Sequence, residues 1–249
     1  MKVWPSLLTV AILAIIAWLG AGVLRLYAVF GIGIPYLAFI IFAIGFVNRL
    51  LKSGRSSRPS MAATGDRGGP ENSSARRWRR LFREILFFRF FFDGLNVTKW
   101  LWLVSFIFYG SLLVIALRHL RLFLNRVPAW IQGLTSLDSL TQIGFPHTFV
   151  YITDILILLA LAYAFVRLFL AASVKEMSPA FDWLPLFLLL GSVLSGIVMY
   201  YFLKVDIVSV KEFTVGLVTL KPFILRSVGS IFYVHIFLVS SMFVYLVLE

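Results

Sequence analysis

His119 and His235 are two of only three histidines in a sequence of 249 residues that contains no cysteine, and each lies inside a long apolar stretch. An imidazole in hydrocarbon needs a partner, and two imidazoles on facing helices can hold the iron of one haem from opposite sides. Zero cysteines exclude a disulfide framework, thiolate-held iron–sulfur clusters and Cys-attached haem within these residues, while haem held by histidine alone stays open. A plainer reading competes. In it His119, within RHLR at 118–121, is an interfacial base, and His235 makes a polar contact between helices. His147 follows Pro146 in a loop and reads as an ordinary surface histidine. Zinc is disfavoured because no third and fourth ligand of suitable type stands at that depth.

The elements that must position these residues are membrane helices. With 61% hydrophobic residues, 16% aromatics and a mean hydropathy of +0.95, the chain carries more apolar surface than a water-soluble domain of its size can hide. Windows of about 20 apolar residues predict an all-α, polytopic membrane protein, one domain over 1–249, with spans at 4–24, 32–51, 99–122, 149–170, 183–203 and 229–248. Trp100 and Trp102 mark one end of the third span and Trp183 begins the fifth, as amphipathic rings at headgroup level do. The first apolar run lacks an A-x-A cleavage site and leads directly into a second, so it reads as a retained span.

Between spans two and three lies a basic loop, 53–98. Its Ser-, Gly- and Pro-rich opening reads as flexible and its apolar stretch 81–94 as an interfacial amphipathic helix. The formal charge of +12 belongs to such segments, where anionic lipid or a docked subunit meets them, so nucleic acid is not an expected partner. Placing the loop in the cytoplasm puts 15 of the 23 Lys and Arg on that side, in accord with the positive-inside rule, and both termini with them. His119 then lies about one turn before span three leaves the outer leaflet, and His235 about two turns after span six enters it. Their depths agree to roughly a turn at 1.5 Å per residue.

Several stretches carry a family likeness: KWLWLVSFIFYGSLLVIALRHLRLF at 99–123, YITD at 151–154, LPLFLLLGSVLSGIVMYYFLKVDIVSVKE at 184–212, FYVHIFLVSS at 232–241 and IPYLAFIIFAIGFVNRLLK at 34–52. Together they resemble the membrane cytochrome b subunit of sulfite-reductase-associated (Dsr-type) electron-transfer complexes, within the nitrate reductase gamma-subunit superfamily. RHLR and FYVH are the specific part of the likeness. The resemblance implies a multi-pass subunit of a prokaryotic cytoplasmic membrane, with His119 and His235 as axial ligands of a b-type haem. It also implies exchange of electrons with menaquinone or another quinone, and an iron–sulfur partner subunit related to heterodisulfide reductase.

The departures from the family pattern carry information too. Tyr109 stands where the family has a second histidine, ten residues before His119, and that histidine's partner would lie about fifteen residues beyond His235, past Glu249. One haem is therefore expected instead of two. Tyr109 as a lone iron ligand is the weaker alternative to aromatic packing. The 53–98 loop lacks the family's Cys-Gly-Gln-Gln stretch, which puts the usual cytoplasmic docking in question. A lone outer haem lies some 20 Å from the inner face of a core about 30 Å thick. Either another cofactor-bearing subunit completes the path, or the partner docks outside, as in related subunits that serve outward-facing hydrogenase modules.

Quinol oxidation needs hydrogen-bond partners for two oxygens and a titratable route to water. The candidates are Arg118, which could equally meet a haem propionate, and Asp154, Lys211 and Glu212. Asp154 could also simply begin a helix. The stretch 205–220 reads either as a roof over the pocket or as a surface connector. Gly191, Ser195 and Gly196 read as helix-packing residues, as do Gly20 and Gly22. The expectation is thus a six-helix cytochrome b in a quinone-linked respiratory complex, with a haem-free structural anchor for a redox enzyme as the alternative.

Overall fold

The computed structural model describes residues 3–55, 99–124, 126–140, 150–170, 183–225 and 228–248. Helix α1 covers Val3–Gly22 and α2 covers Ile34–Arg55, the latter led in by a π turn at Val29–Gly33. Then come α3 (Lys99–Phe123), α4 (Ala129–Asp138), α5 (Ile152–Leu170) and α6 (Leu184–Ile197), which runs on through a π turn at Val198–Phe202. Helices α7 (Ile207–Val218) and α8 (Ser230–Leu248) complete the order. Two short strands, β1 (Ser139–Leu140) and β2 (Val150–Tyr151), pair antiparallel with Ser139 opposite Tyr151. The protein is all-α and polytopic: six helices are long and apolar enough to cross a membrane, at the six expected places. Residues 53–55 of the expected loop extend α2, and the rest of the loop, with the stretch 81–94, and His147 lie outside the described residues.

Helix is the only open-ended backbone solution in hydrocarbon, because every N–H and C=O finds its partner within the segment. The outward faces are correspondingly apolar: Trp4, Ile12, Ile15, Trp18, Phe39 and Ile40 are all exposed on α1 and α2. Lipid tails solvate such side chains, so their exposure carries no hydrophobic penalty there and close packing must hold the bundle instead. Small residues permit it. A Cβ on Gly45 would fall 1.7 Å from Cγ1 of Val247, so α2 and α8 meet there closely enough that any larger residue would force Val247 to shift. Gly20 faces Phe30, Gly22 faces Ser230, and Gly191 faces Leu238 and Val10, in keeping with their reading as packing residues.

Helix α8 is central and packs on α1, α2 and α6, whereas α3 packs on α5 and α7. At one end of the bundle Phe213, Phe232 and Tyr233 form an aromatic cluster, with ring centres 5.5 and 5.4 Å apart along the chain of contacts. The Tyr233 hydroxyl donates to the Leu225 carbonyl.

The same end receives α7. Phe213 is buried in the core, and Thr214 donates its hydroxyl to the Leu122 carbonyl at 2.6 Å, so α7 is docked across the end of α3. Asp206 caps it, accepting from the Val208 and Ser209 amides at 3.0 and 3.2 Å and from the Ser209 hydroxyl at 2.5 Å. Those donors, the Ser209 hydroxyl foremost, hold its carboxyl below the usual carboxylate range. The cap is therefore at full strength above the ordinary carboxylate value of about 4 and is lost as pH falls through the lowered folded one. Hydrogen exchange at the Val208 and Ser209 amides is expected to accelerate over that acid range, after correction for intrinsic rates. In Asp206→Ala these amides should be fast already, with no added acceleration.

Candidate functional site

His119 stands four residues before the end of α3 at Phe123, and His235 five residues after α8 begins at Ser230. At 1.5 Å per residue these are depths of about 6 and 7.5 Å. Successive spans run in opposite directions, so both histidines lie at the same end of the bundle. Their ring centres are 6.5 Å apart and their planes are inclined by only 16°. That separation is too long for two rings in contact. It leaves room for a metal ion between them: a metal–nitrogen bond of about 2.0 Å on each side, plus about 1.1 Å from nitrogen to ring centre, would need ring centres about 6.2 Å apart.

The hydrogen bonds leave the right nitrogen free. Nδ1 of His119 lies 2.7 Å from the Ile115 carbonyl, and Nδ1 of His235 lies 3.0 Å from the Ser192 carbonyl and 3.0 Å from the Ser195 hydroxyl. A carbonyl only accepts, so each Nδ1 carries the proton and each Nε2 keeps its lone pair. Metal-binding histidines use the same division of labour, the second nitrogen donating to a carbonyl or other acceptor that fixes the ring. Among the described residues no cluster of three or more His, Cys, Asp or Glu could hold a metal ion. Two imidazoles without further protein ligands fit a metal that arrives within a group such as a porphyrin, which His119 and His235 would hold.

Ser195 and Gly196, like Gly191, were legible only as small residues that let helices approach, and Ser192 was not singled out at all. Gly191 does no more than that, but a Cβ on Gly196 would stand 3.3 Å from Cε1 of His235. The α6 face that meets α8 is thus built around the imidazole.

Next to His119 in the chain, Arg118 is buried. Its guanidinium donates to Asp138 at 3.0 Å and to Asp154 at 2.6 Å, and its carbon lies 3.8 Å from the centre of the Tyr151 ring. Asp138 also accepts from the Thr153 amide at 2.9 Å and the Thr153 hydroxyl at 2.7 Å. Asp154 accepts from the Tyr201 hydroxyl at 2.9 Å, and that oxygen in turn accepts from the Tyr151 amide at 3.0 Å. Asp154 begins a helix, as the alternative reading has it, and also pairs with Arg118. Sequence reasoning missed Asp138, Thr153, Tyr151 and Tyr201. Recognising the short helix after Pro128 would have pointed to Asp138, since an acid in the last turn of a helix opposes the helix dipole and must be held by something else.

Lys211 and Glu212 lie on α7, Lys211 partly buried and Glu212 exposed. Tyr109 is partly exposed on α3, its ring edge-on to Phe108 at 5.1 Å.

Six apolar helices that bring two imidazoles to one depth define a multi-pass membrane protein with a paired-histidine site at one end of its bundle. No protein-family model matches the chain. Among curated proteins it is similar to the Hdr-like menaquinol oxidoreductase cytochrome b-like subunit of Archaeoglobus fulgidus, with 30% identity over 87% of this chain and 73% of the relative. The subunit of the same name from Archaeoglobus profundus is 32% identical over 76% of this chain and 63% of the relative. The chain belongs to this family of cytochrome b-like membrane redox subunits.

Proposed function

We propose that the protein holds one b-type haem between His119 and His235 and carries electrons between membrane quinone and an iron–sulfur or catalytic partner subunit. The observation that supports this most is the combination at the pair: ring centres 6.5 Å apart, near-parallel planes, and both Nδ1 atoms already committed to carbonyls. When bound, the haem supplies a one-electron couple, and the protein's part is to hold, orient and insulate it. The names of the relatives favour menaquinol as the quinone species and an Hdr-like assembly as the partner. A single haem accords with Tyr109, a phenol where the resembling family has another imidazole.

Arg118 and Asp154 are our candidates for the polar border of the quinone site, together with Lys211 and Glu212 on α7. Arg118 is already paired twice. Meeting a propionate or quinone would require it to exchange a carboxylate for the new partner, so Asp154, with Tyr201 on its second oxygen, is the better placed to pass a proton. The positive-inside bias favours an orientation with both termini in the cytoplasm and the histidine pair towards the outer face of a prokaryotic cytoplasmic membrane. An outward-facing hydrogenase-type module is the partner that this placement would suit best.

Reduced-minus-oxidised optical spectra with haem quantification on the purified complex test the reading. One haem per copy of this chain is expected. Two would overturn the single-haem assignment, and none would leave a haem-free structural anchor.

A further inference from the structure

We propose that Ser195 is a positioning residue for His235: its hydroxyl and the Ser192 carbonyl clamp the Nδ1 edge of the ring, fix its rotation and set the redox potential of the metal it holds. This rests on the haem reading above.

The two histidines are held differently. The His119 Nδ1 bond runs to Ile115, four residues back on the same helix, a contact open to any helical histidine. His235 instead reaches across to α6, where two acceptors, the Ser192 carbonyl and the Ser195 oxygen, each lie 3.0 Å from its Nδ1. Ser195 gives its own proton to the Ser192 carbonyl at 3.0 Å, so its oxygen has lone pairs to offer the imidazole N–H. Gly196 closes a third side, within 3.3 Å of Cε1 for any added Cβ. Ser192 and Ser195 are buried, so water does not compete for these bonds, and in a low dielectric each is stronger than it would be at a surface.

A second acceptor on Nδ1–H makes the opposite nitrogen more basic. A more electron-rich ligand stabilises the oxidised metal over the reduced one and lowers the potential. Packing alone would make no such demand, since alanine lets helices approach as closely as serine does.

The test uses the purified full-length complex with Ser195→Ala and Ser195→Thr, each examined by haem content, optical redox titration and low-temperature EPR. Ser195→Ala is expected to keep its haem while the oxidised-to-reduced equilibrium moves at least threefold towards reduced, a tenfold move being 59 mV for one electron. Its low-spin ferric signal should also change as the ring gains rotational freedom. Ser195→Thr, which keeps the hydroxyl, should restore both readouts.

Ser195→Ala with an unaltered potential and signal overturns the proposal and leaves the haem reading intact. Haem absent from the unsubstituted complex overturns that reading and this inference with it. If Ser195→Ala loses haem altogether, Ser195→Thr decides: haem restored supports the hydroxyl's role, and haem still absent overturns it in favour of packing.

Discussion

Replacing His235 with alanine is expected to leave a folded six-helix protein that no longer retains haem. The fold should tolerate the change because the Ser192 carbonyl keeps the Ser195 hydroxyl as a donor when Nδ1–H is removed, so no buried acceptor is orphaned. Haem binding should not tolerate it. Loss of an outer-shell partner alone typically costs 10–100-fold in metal affinity, and loss of an axial ligand exceeds that. His119→Ala is expected to behave the same way, whereas His147→Ala should keep its haem. Haem content and optical spectra of the three variants, alongside detergent-extracted yield as a check on folding, measure the contrast. Unchanged spectra in either axial variant would overturn the assignment.

Arg118→Ala should produce the largest loss of stability. The guanidinium joins three elements: α3, the end of α4 through Asp138, and the start of α5 through Asp154. Its side chain is 10% exposed and those of its partners 4% and 13%, so solvent does little to screen the charges. Removing one partner of a buried ionic cluster typically costs about 3–5 kcal/mol, because charge is left uncompensated. Here two carboxylates would remain, supported among the described residues by Thr153, Tyr201 and a backbone amide.

Arg118→Lys keeps the charge but cannot fork between two carboxylates, and should fall between the wild type and alanine. Combining Arg118→Met with Asp138→Asn and Asp154→Asn removes the charges together and should recover part of the loss. Thermal unfolding midpoints in detergent check the order. Equal midpoints for wild type and Arg118→Ala would show that the cluster does not brace the bundle.

The number and placement of the spans were readable because hydrocarbon imposes a one-dimensional rule: about 20 apolar residues in a row make one crossing. The ends were less so. Helix α4 escaped notice because ten residues of mixed polarity after Pro128 are too short and too polar to register as a span. Helix α7 registered as amphipathic, but which surface its apolar face would meet depended on the end of α3, more than eighty residues earlier in the chain.

His119 and His235 stood out because ionisable groups inside apolar runs are costly and few, and counting residues from the span ends was enough to match their depths. Their separation, their near-parallel planes and the direction of each Nδ1 bond depended on how three helices pack, which composition does not encode. Asp138 and the two serines show the same limit. Each is an ordinary residue in its own segment and acquires a role only from a partner on another helix.

What the sequence determined by itself is the all-helical membrane architecture and the two residues most worth attention, since both follow from transfer energies that act residue by residue along the chain. What only the tertiary structure decided is the pairing: which nitrogen is free, which serine is turned to which imidazole, and which acids share Arg118. Hydrogen bonds and ion pairs are short-ranged and directional, so they are settled only when separate helices have come within about 3 Å of one another.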